Sequence, residues 1–155
     1  MAFVFALMFS ISAYSSHHYY YSDKWDGSAL LGFSGPGIGI QGLVAYRVID
    51  DVLREADDSM SFETGVGIIS ASDSFKKNHS ATVFEIPLKM RWDIHVRNSK
   101  FTVSPDAGFV YISEDGLNIQ IGVSGIYSYS SNMKLRFGID VGGFSTLFVG
   151  LNFLL

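Results

Sequence analysis

Strict alternation of apolar and polar residues organises this chain, and its longest run is Thr82–Val96. The even positions there are almost all apolar, among them Phe84, Leu88 and Trp92. The odd positions from 85 onward are Glu, Pro, Lys, Arg, Asp and His. A period of two over this length predicts a β-strand with one apolar face and one charged face.

Seven further runs alternate in the same way and are separated by turn signals such as Gly35-Pro36-Gly37 and Glu114-Asp115-Gly116. Asp50–Ser61 lacks alternation and is expected to form a loop or one short helical turn, and Ser70–Ser80 is the longest polar loop. The pattern therefore predicts eight strands and no helix of ordinary length. The seven runs are Lys24–Ser34, Ile38–Ile49, Phe62–Ser70, Phe101–Ile112, Asn118–Tyr129, Met133–Val141 and the segment from Leu147 to Leu155.

Glycines on the polar face distinguish a soluble barrel, with its apolar face inside, from a membrane barrel, with that face outside. Glycine weakens strands and has no use on a solvated exterior. The lumen of an eight-stranded barrel is barely wide enough for side chains, so small residues must alternate there with long ones. The sequence thus predicts an all-β fold, a single closed antiparallel up-and-down transmembrane barrel. The glycines concerned include Gly32, Gly39, Gly65, Gly67, Gly108, Gly122, Gly138, Gly142 and Gly150.

Ionisable residues on the glycine face balance in number, which indicates mutual pairing in a confined interior. The predicted ion-pair network has a structural role and comprises Arg47, Glu63, Glu85, Lys89, Arg91, Asp106, Lys134, Arg136 and Asp140. The same face is expected to carry Lys24, Asp26 and Asp93, which brings the balance to six acids and six bases.

The turns also predict which charges face each other, because opposite positions on two antiparallel strands have a constant sum. A turn centred near residue 98 or 99 places Arg91 opposite Asp106, and a loop centred near 76 places Glu63 opposite Lys89. An acidic turn centred near 55 places Arg47 opposite Glu63. We therefore expect a row Arg47–Glu63–Lys89 and a separate Arg91–Asp106 pair.

Composition excludes several functions. The chain has 155 residues, enough for one domain, and 48% of them are hydrophobic while 17% are charged. It has no cysteine, which excludes disulfides and thiolate metal sites. A net charge of −4 argues against a nucleic-acid partner. The neighbouring histidines His17 and His18 would point to opposite faces of a strand, so we expect no metal site and no cofactor.

The N-terminal segment is expected to direct export. No run reaches the roughly 18 apolar residues of a membrane-spanning helix. Ala2–Ile11 instead resembles the apolar region of a secretory signal, with Ala13-Tyr14-Ser15 as a cleavage site, although no Lys or Arg precedes it. We therefore expect a signal segment at 1–15 and an outer-membrane β-barrel domain at 16–155.

Two short motifs resemble a known family. Phe62-Glu63-Thr64-Gly65-Val66-Gly67 and, after a loop, Phe84-Glu85-Ile86-Pro87-Leu88-Lys89 resemble the small porin-like outer-membrane β-barrel domain family, and Asp106-Ala107-Gly108-Phe109 fits its next strand. The last strand is similar to an outer-membrane assembly signal, although it ends in Leu155 where the family usually has Phe. The resemblance implies an OmpA- or OmpX-type eight-stranded barrel in the bacterial outer membrane. Its expected partners are the lipid bilayer, including lipopolysaccharide, and the outer-membrane assembly machinery.

The residues predict a structural or surface-interaction protein, favoured as a monomer, with a plugged polar interior. Lys76 and Lys77 in the second loop are candidate surface contacts. The alternatives are a soluble ligand-binding β-barrel and a lipid A-modifying outer-membrane enzyme. The enzyme would use Asp73-Ser74 or His79, but the sequence shows no third group to orient a base, so we expect no catalytic residues.

Overall fold

Eight β-strands make up the fold. A computed structural model describes residues 24–34, 37–53, 56–71, 82–142 and 146–155. No helix in this part of the chain is long and apolar enough to cross a membrane. The strands are β1 (Trp25–Ser34), β2 (Gly37–Asp50), β3 (Asp58–Ala71), β4 (Thr82–His95), β5 (Phe101–Ile112), β6 (Gly116–Ser128), β7 (Met133–Val141) and β8 (Thr146–Leu154).

Each strand pairs antiparallel with its neighbours in the chain, and β1 pairs with β8 to close the barrel. The predicted fold class is confirmed. This up-and-down order leaves two distinct ends. The terminal end carries residues 24 and 155 and the connections β2–β3, β4–β5 and β6–β7, and the loop end carries the other four connections.

The two faces of the wall are sorted as the alternation predicts. Along β4, Phe84 and Leu88 are 55% and 46% exposed, whereas Lys89 and Arg91 are 1% and 2% exposed. Apolar side chains thus cover the outside and charged side chains fill the inside. The soluble-barrel alternative requires the reverse arrangement, so this fold does not support it.

Two predictions at the terminal end are wrong in detail. Residues 50–61 are not one loop, because β2 runs to Asp50 and β3 starts at Asp58, leaving a short connection. A register shift between Arg47 and Ile49 accommodates an extra residue in β2, as β-bulges do near strand ends. Lys24 lies before β1 and is exposed, so it does not join the inner wall.

Several inward glycines allow close approach between strands. A Cβ on Gly108 would overlap the carbonyl oxygen of Leu88, and one on Gly150 would overlap that of Ala29. No side chain fits at these two positions, so glycine there lets the neighbouring strands approach closely. Gly116 ends the predicted Glu114-Asp115-Gly116 hairpin with a φ of 81°.

Aromatic side chains gather at the terminal end of the outer surface. The rings of Trp25 and Tyr46 are 4.7 Å apart between centroids, and Tyr127 and Tyr129 are exposed close to the β6–β7 turn. Trp92 donates its indole N–H to Asp58 at 2.6 Å. Amphipathic rings in such a band are typical of the boundary between lipid and water.

Candidate functional site

The interior of the barrel holds a connected set of buried charges, centred on Glu63. This carboxylate is 0% exposed and lies on the inner face of β3. It accepts hydrogen bonds from Arg136 Nη1 at 2.6 Å and Nη2 at 3.1 Å, and from Arg91 Nη1 at 2.7 Å. Lys89 Nζ lies 3.6 Å from its second oxygen. One carboxylate therefore contacts three cations from two other strands, β4 and β7.

Arg91 extends the network toward the terminal end. Its guanidinium donates to Asp26 on β1 at 2.8 Å and to Asp93, two residues away, at 2.9 Å. Ser104 donates its hydroxyl to Asp93 at 2.6 Å, and Asn152 donates to Asp26 at 2.7 Å. All three guanidinium nitrogens of Arg91 thus donate to carboxylates. Such charge-assisted hydrogen bonds are stronger than those between neutral groups.

Lys89 extends the network toward β5 and β7. Its Nζ lies 3.3 Å from Asp106 Oδ1 and donates to Asp140 Oδ2 at 3.2 Å. Gln120 on β6 also donates to Asp140 Oδ2, at 2.9 Å. Two carboxylates therefore converge on a single ammonium group in this part of the interior.

The three remaining residues of the predicted network lie nearer its edges. Arg47 is half-buried near the terminal end, and its Nε lies 3.6 Å from Asp50 Oδ1. Glu85 is 8% exposed in the loop half and accepts from Gln41 at 2.9 Å. Lys134 lies half-buried on the inner face of β7. The contacts described above link Glu63, Lys89, Arg91, Arg136, Asp106 and Asp140 directly.

The register predictions have mixed outcomes. Glu63 pairs with Lys89 and Arg91 pairs with Asp106 along the strands, as predicted. Arg47 pairs with Ser61 and not with Glu63, so that prediction is wrong by two residues, with the faces preserved. The separate Arg91–Asp106 ion pair is also wrong, because Arg91 contacts Asp26, Glu63 and Asp93.

The side-chain contacts indicate which pairs of substitutions should be coupled in a double-mutant cycle. We expect alanine substitutions at Lys89 and Asp106, which touch, to show a coupling free energy of about 0.5–3 kcal/mol. Arg91 and Asp106 lie opposite each other in the register but form no ion pair, so their substitutions should show a smaller coupling free energy. Urea unfolding of the single and double variants measures both cycles. A stronger coupling for Arg91 with Asp106 would contradict these side-chain positions.

Neutral polar residues complete the network, and the charge count alone did not identify them. Ser28 accepts from Arg136 Nη1 at 3.2 Å and from Asn152 Nδ2 at 3.0 Å. Gln41, Ser104 and Gln120 bind carboxylates. The alternation pattern could have identified these residues, because each occupies an inward position of its strand. They are Ser28, Gln41, Ser104, Gln120 and Asn152.

Apolar side chains form a second interior layer in the loop half. Leu30, Leu43 and Phe148 form one buried cluster, and Val83, Val110 and Ile112 form another. Arg136 lies over the Phe148 ring, 5.6 Å from its centroid, within the range of a cation–π contact. A small cavity beside this layer, lined in part by Leu30, Gln41 and Phe148, is about large enough for one water molecule.

A closed eight-stranded wall with lipid-compatible residues outside and paired charges inside defines a small transmembrane β-barrel. Solved structures share this fold. A de novo designed transmembrane β-barrel has a TM-score of 0.66 at 13% identity, with 84% of this chain and 94% of that chain covered. The N-terminal β-barrel domain of Pseudomonas aeruginosa OprF has a TM-score of 0.63 at 12% identity, covering 84% and 96%. Neisserial surface protein A has a TM-score of 0.52 at 11% identity, covering 84% and 94%.

The expected likeness to small eight-stranded barrels is confirmed at the level of the fold. No protein-family model and no curated protein matches the chain. Several sequence predictions fall outside the described residues. They are the signal segment at 1–15, the expectation for His17 and His18, the candidate enzyme residues Asp73-Ser74 and His79, and the candidate contacts Lys76 and Lys77.

Proposed function

We propose that this protein is an integral barrel of the bacterial outer membrane with a closed interior and a structural or surface-interaction role. The exposed apolar wall carries the proposal. Ile40, Val66 and Ile119 are 63%, 64% and 67% exposed on three different strands. Soluble proteins rarely expose a continuous apolar surface of more than a few hundred Å². The shared fold with designed transmembrane β-barrels and with Neisserial surface protein A adds support for this location.

Separation of the inner and outer membranes of cells that carry the native protein tests the location. We expect the protein in the outer-membrane fraction and expect it to resist extraction by alkaline carbonate, because its apolar wall needs lipid. N-terminal sequencing of the same material would show whether the mature chain starts near residue 16. Recovery of the protein as a soluble species would contradict the proposal.

We further propose that the interior does not conduct as a general pore. Long, paired side chains support this, since Glu63, Lys89, Arg91 and Arg136 are at most 2% exposed. The apolar layer in the loop half adds a second barrier, because hydrophobic constrictions resist wetting.

Planar-bilayer recordings test the closed interior. We expect no large, stable single-channel currents from the purified protein. A Glu63→Ala/Arg136→Ala double variant serves as the comparison, since it removes two filling side chains of opposite charge and leaves the net charge unchanged. Larger currents from the variant than from the native protein would support the proposal. Porin-like currents from the native protein would overturn it.

The partners follow from the same arrangement. We propose that the barrel is a monomer surrounded by lipids, including lipopolysaccharide. We also propose that the outer-membrane assembly machinery recognises β8, in which apolar and polar residues alternate to the end of the strand.

We also propose that the barrel is not an enzyme. A catalytic base must be able to reach its nucleophile, and Glu63, Asp93 and Asp140 are instead bound by Arg, Lys and neutral donors.

A further inference from the structure

A group of buried oxygen atoms that accept no hydrogen bond lies between β5, β6 and β7. Both oxygens of Asp106, Oδ1 of Asp140 and Oε1 of Gln120 accept no hydrogen bond from any described residue. The side chains of Asp106 and Asp140 are 0% and 4% exposed, and Gln120 is 4% exposed. Buried acceptors are nearly always satisfied in native proteins, so this concentration points to a bound partner.

Strand register brings these oxygens to one place. Asp106, Gly122 and Asp140 form a row across the three strands. A Cβ on Gly122 would overlap Asp140 Oδ1 and would lie 2.8 and 3.0 Å from the two oxygens of Asp106. The missing side chain at Gly122 therefore lets both carboxylates converge over its Cα. Gln120 binds Asp140 Oδ2 through its Nε2, which leaves Oε1 as a further acceptor beside the pair.

The charges at this point do not balance. Lys89 is the cation that contacts both carboxylates, at 3.3 Å and 3.2 Å. Arg136 contacts Glu63, and Arg91 is shared among Glu63, Asp26 and Asp93. Among the described ion pairs, Asp106 and Asp140 are therefore left with Lys89 as their one contacting cation, one positive charge for two carboxylates. An uncompensated charge in a buried site is strongly unfavourable, so a further positive charge at this point would stabilise the folded barrel.

We propose that Asp106, Asp140 and Gln120 bind one monovalent metal cation, Na⁺ or K⁺. Carboxylate and amide oxygens are ligands suited to hard cations. A divalent ion would overcompensate the single excess negative charge beside Lys89. Within the described residues, no group of three or more His, Cys, Asp or Glu side chains has the arrangement of a metal site, so a transition-metal site is not proposed. The site does not depend on the location or conductance of the barrel.

Unfolding of the full-length barrel, refolded into zwitterionic phosphatidylcholine vesicles, tests the site. The unfolding equilibrium constant in urea is measured at neutral pH in NaCl, in KCl and in N-methyl-D-glucamine chloride of equal ionic strength. A cation that binds only the folded state lowers this constant roughly tenfold at ten times its dissociation constant. Asp140→Asn should abolish the difference between the metal salts and N-methyl-D-glucamine. Asp106→Asn provides a second test if the first variant does not fold.

Asp26→Asn is the matched control, because Asp26 is a carboxylate of the same interior that is bound by Arg91 and Asn152. This variant should keep the full dependence on Na⁺ or K⁺. Equal stability of the native barrel in all three salts would overturn the proposal, as would a metal dependence that survives both Asp140→Asn and Asp106→Asn. Stabilisation by acid with no response to either metal would mean that a proton supplies the missing charge, which also overturns it.

Discussion

Replacing Glu63 with Ala is expected to destabilise the barrel by about 3–5 kcal/mol, the usual cost of removing one partner from a buried ion pair. Among the described carboxylates, Glu63 is the one that contacts Arg136, so the substitution leaves this buried guanidinium without a carboxylate in contact. Arg91 and Lys89 lose one partner each but keep Asp26, Asp93, Asp106 and Asp140. Urea unfolding of the variant in vesicles measures the loss.

A compensating substitution separates this electrostatic effect from a cavity effect. Glu63→Gln keeps the volume of the side chain and removes its charge, and Arg136→Met removes the cation left unpaired. We expect the double variant to be more stable than the sum of the two single losses implies, since residues in direct contact couple by about 0.5–3 kcal/mol. Glu85→Gln is the control, because Glu85 accepts from neutral Gln41 and should lose less. A loss within 0.5 kcal/mol for Glu63→Ala, as at ordinary surface sites, would show that the network is hydrated and weak.

The sequence predicted which face of each strand meets which environment because the period of two leaves no other choice. Leu88 and Lys89 follow each other in β4, and one is exposed while the other is buried. The register of β3 with β4 and of β4 with β5 was also predictable. In both cases the midpoint of the polar segment between the two strands gives the correct pairing of residues. Between β2 and β3 the prediction slipped by two residues, since the irregularity at Arg47–Ile49 has no distinct residue signal.

The ion pairs were less predictable than the register. Strand pairing defines neighbours at the level of Cα atoms, but Arg and Lys side chains are long enough to cross a narrow lumen. Arg136 on β7 reaches Glu63 on β3, and Arg91 on β4 reaches Asp26 on β1. Neither pair is adjacent in the wall. Which long side chain crosses the interior depends on the space left by glycine and serine on all eight strands, so local sequence does not determine it.

The lipid-facing assignment makes the second large prediction. Leu88 lies midway along β4, is 46% exposed, and pairs with the apolar Phe109 on β5. Replacing Leu88 with Arg should cost about 2–4 kcal/mol if its position is near the bilayer midplane, because a guanidinium must then be held in hydrocarbon.

The same substitution near the terminal end provides the control for Leu88→Arg. Val48 is 52% exposed close to the end of β2, where an arginine side chain reaches water and headgroups, so Val48→Arg should cost about 0–1 kcal/mol. Unfolding of both variants in vesicles gives the two free energies, and labelling of Leu88→Cys with a water-soluble thiol reagent gives an independent measure of exposure. In a folded barrel in lipid, this cysteine should remain unlabelled, while Val48→Cys should react. Depth in the bilayer is the physical property that distinguishes the two positions. Equal free-energy costs for the two arginine variants, together with rapid labelling of the cysteine at position 88, would therefore show that water and not lipid covers this face.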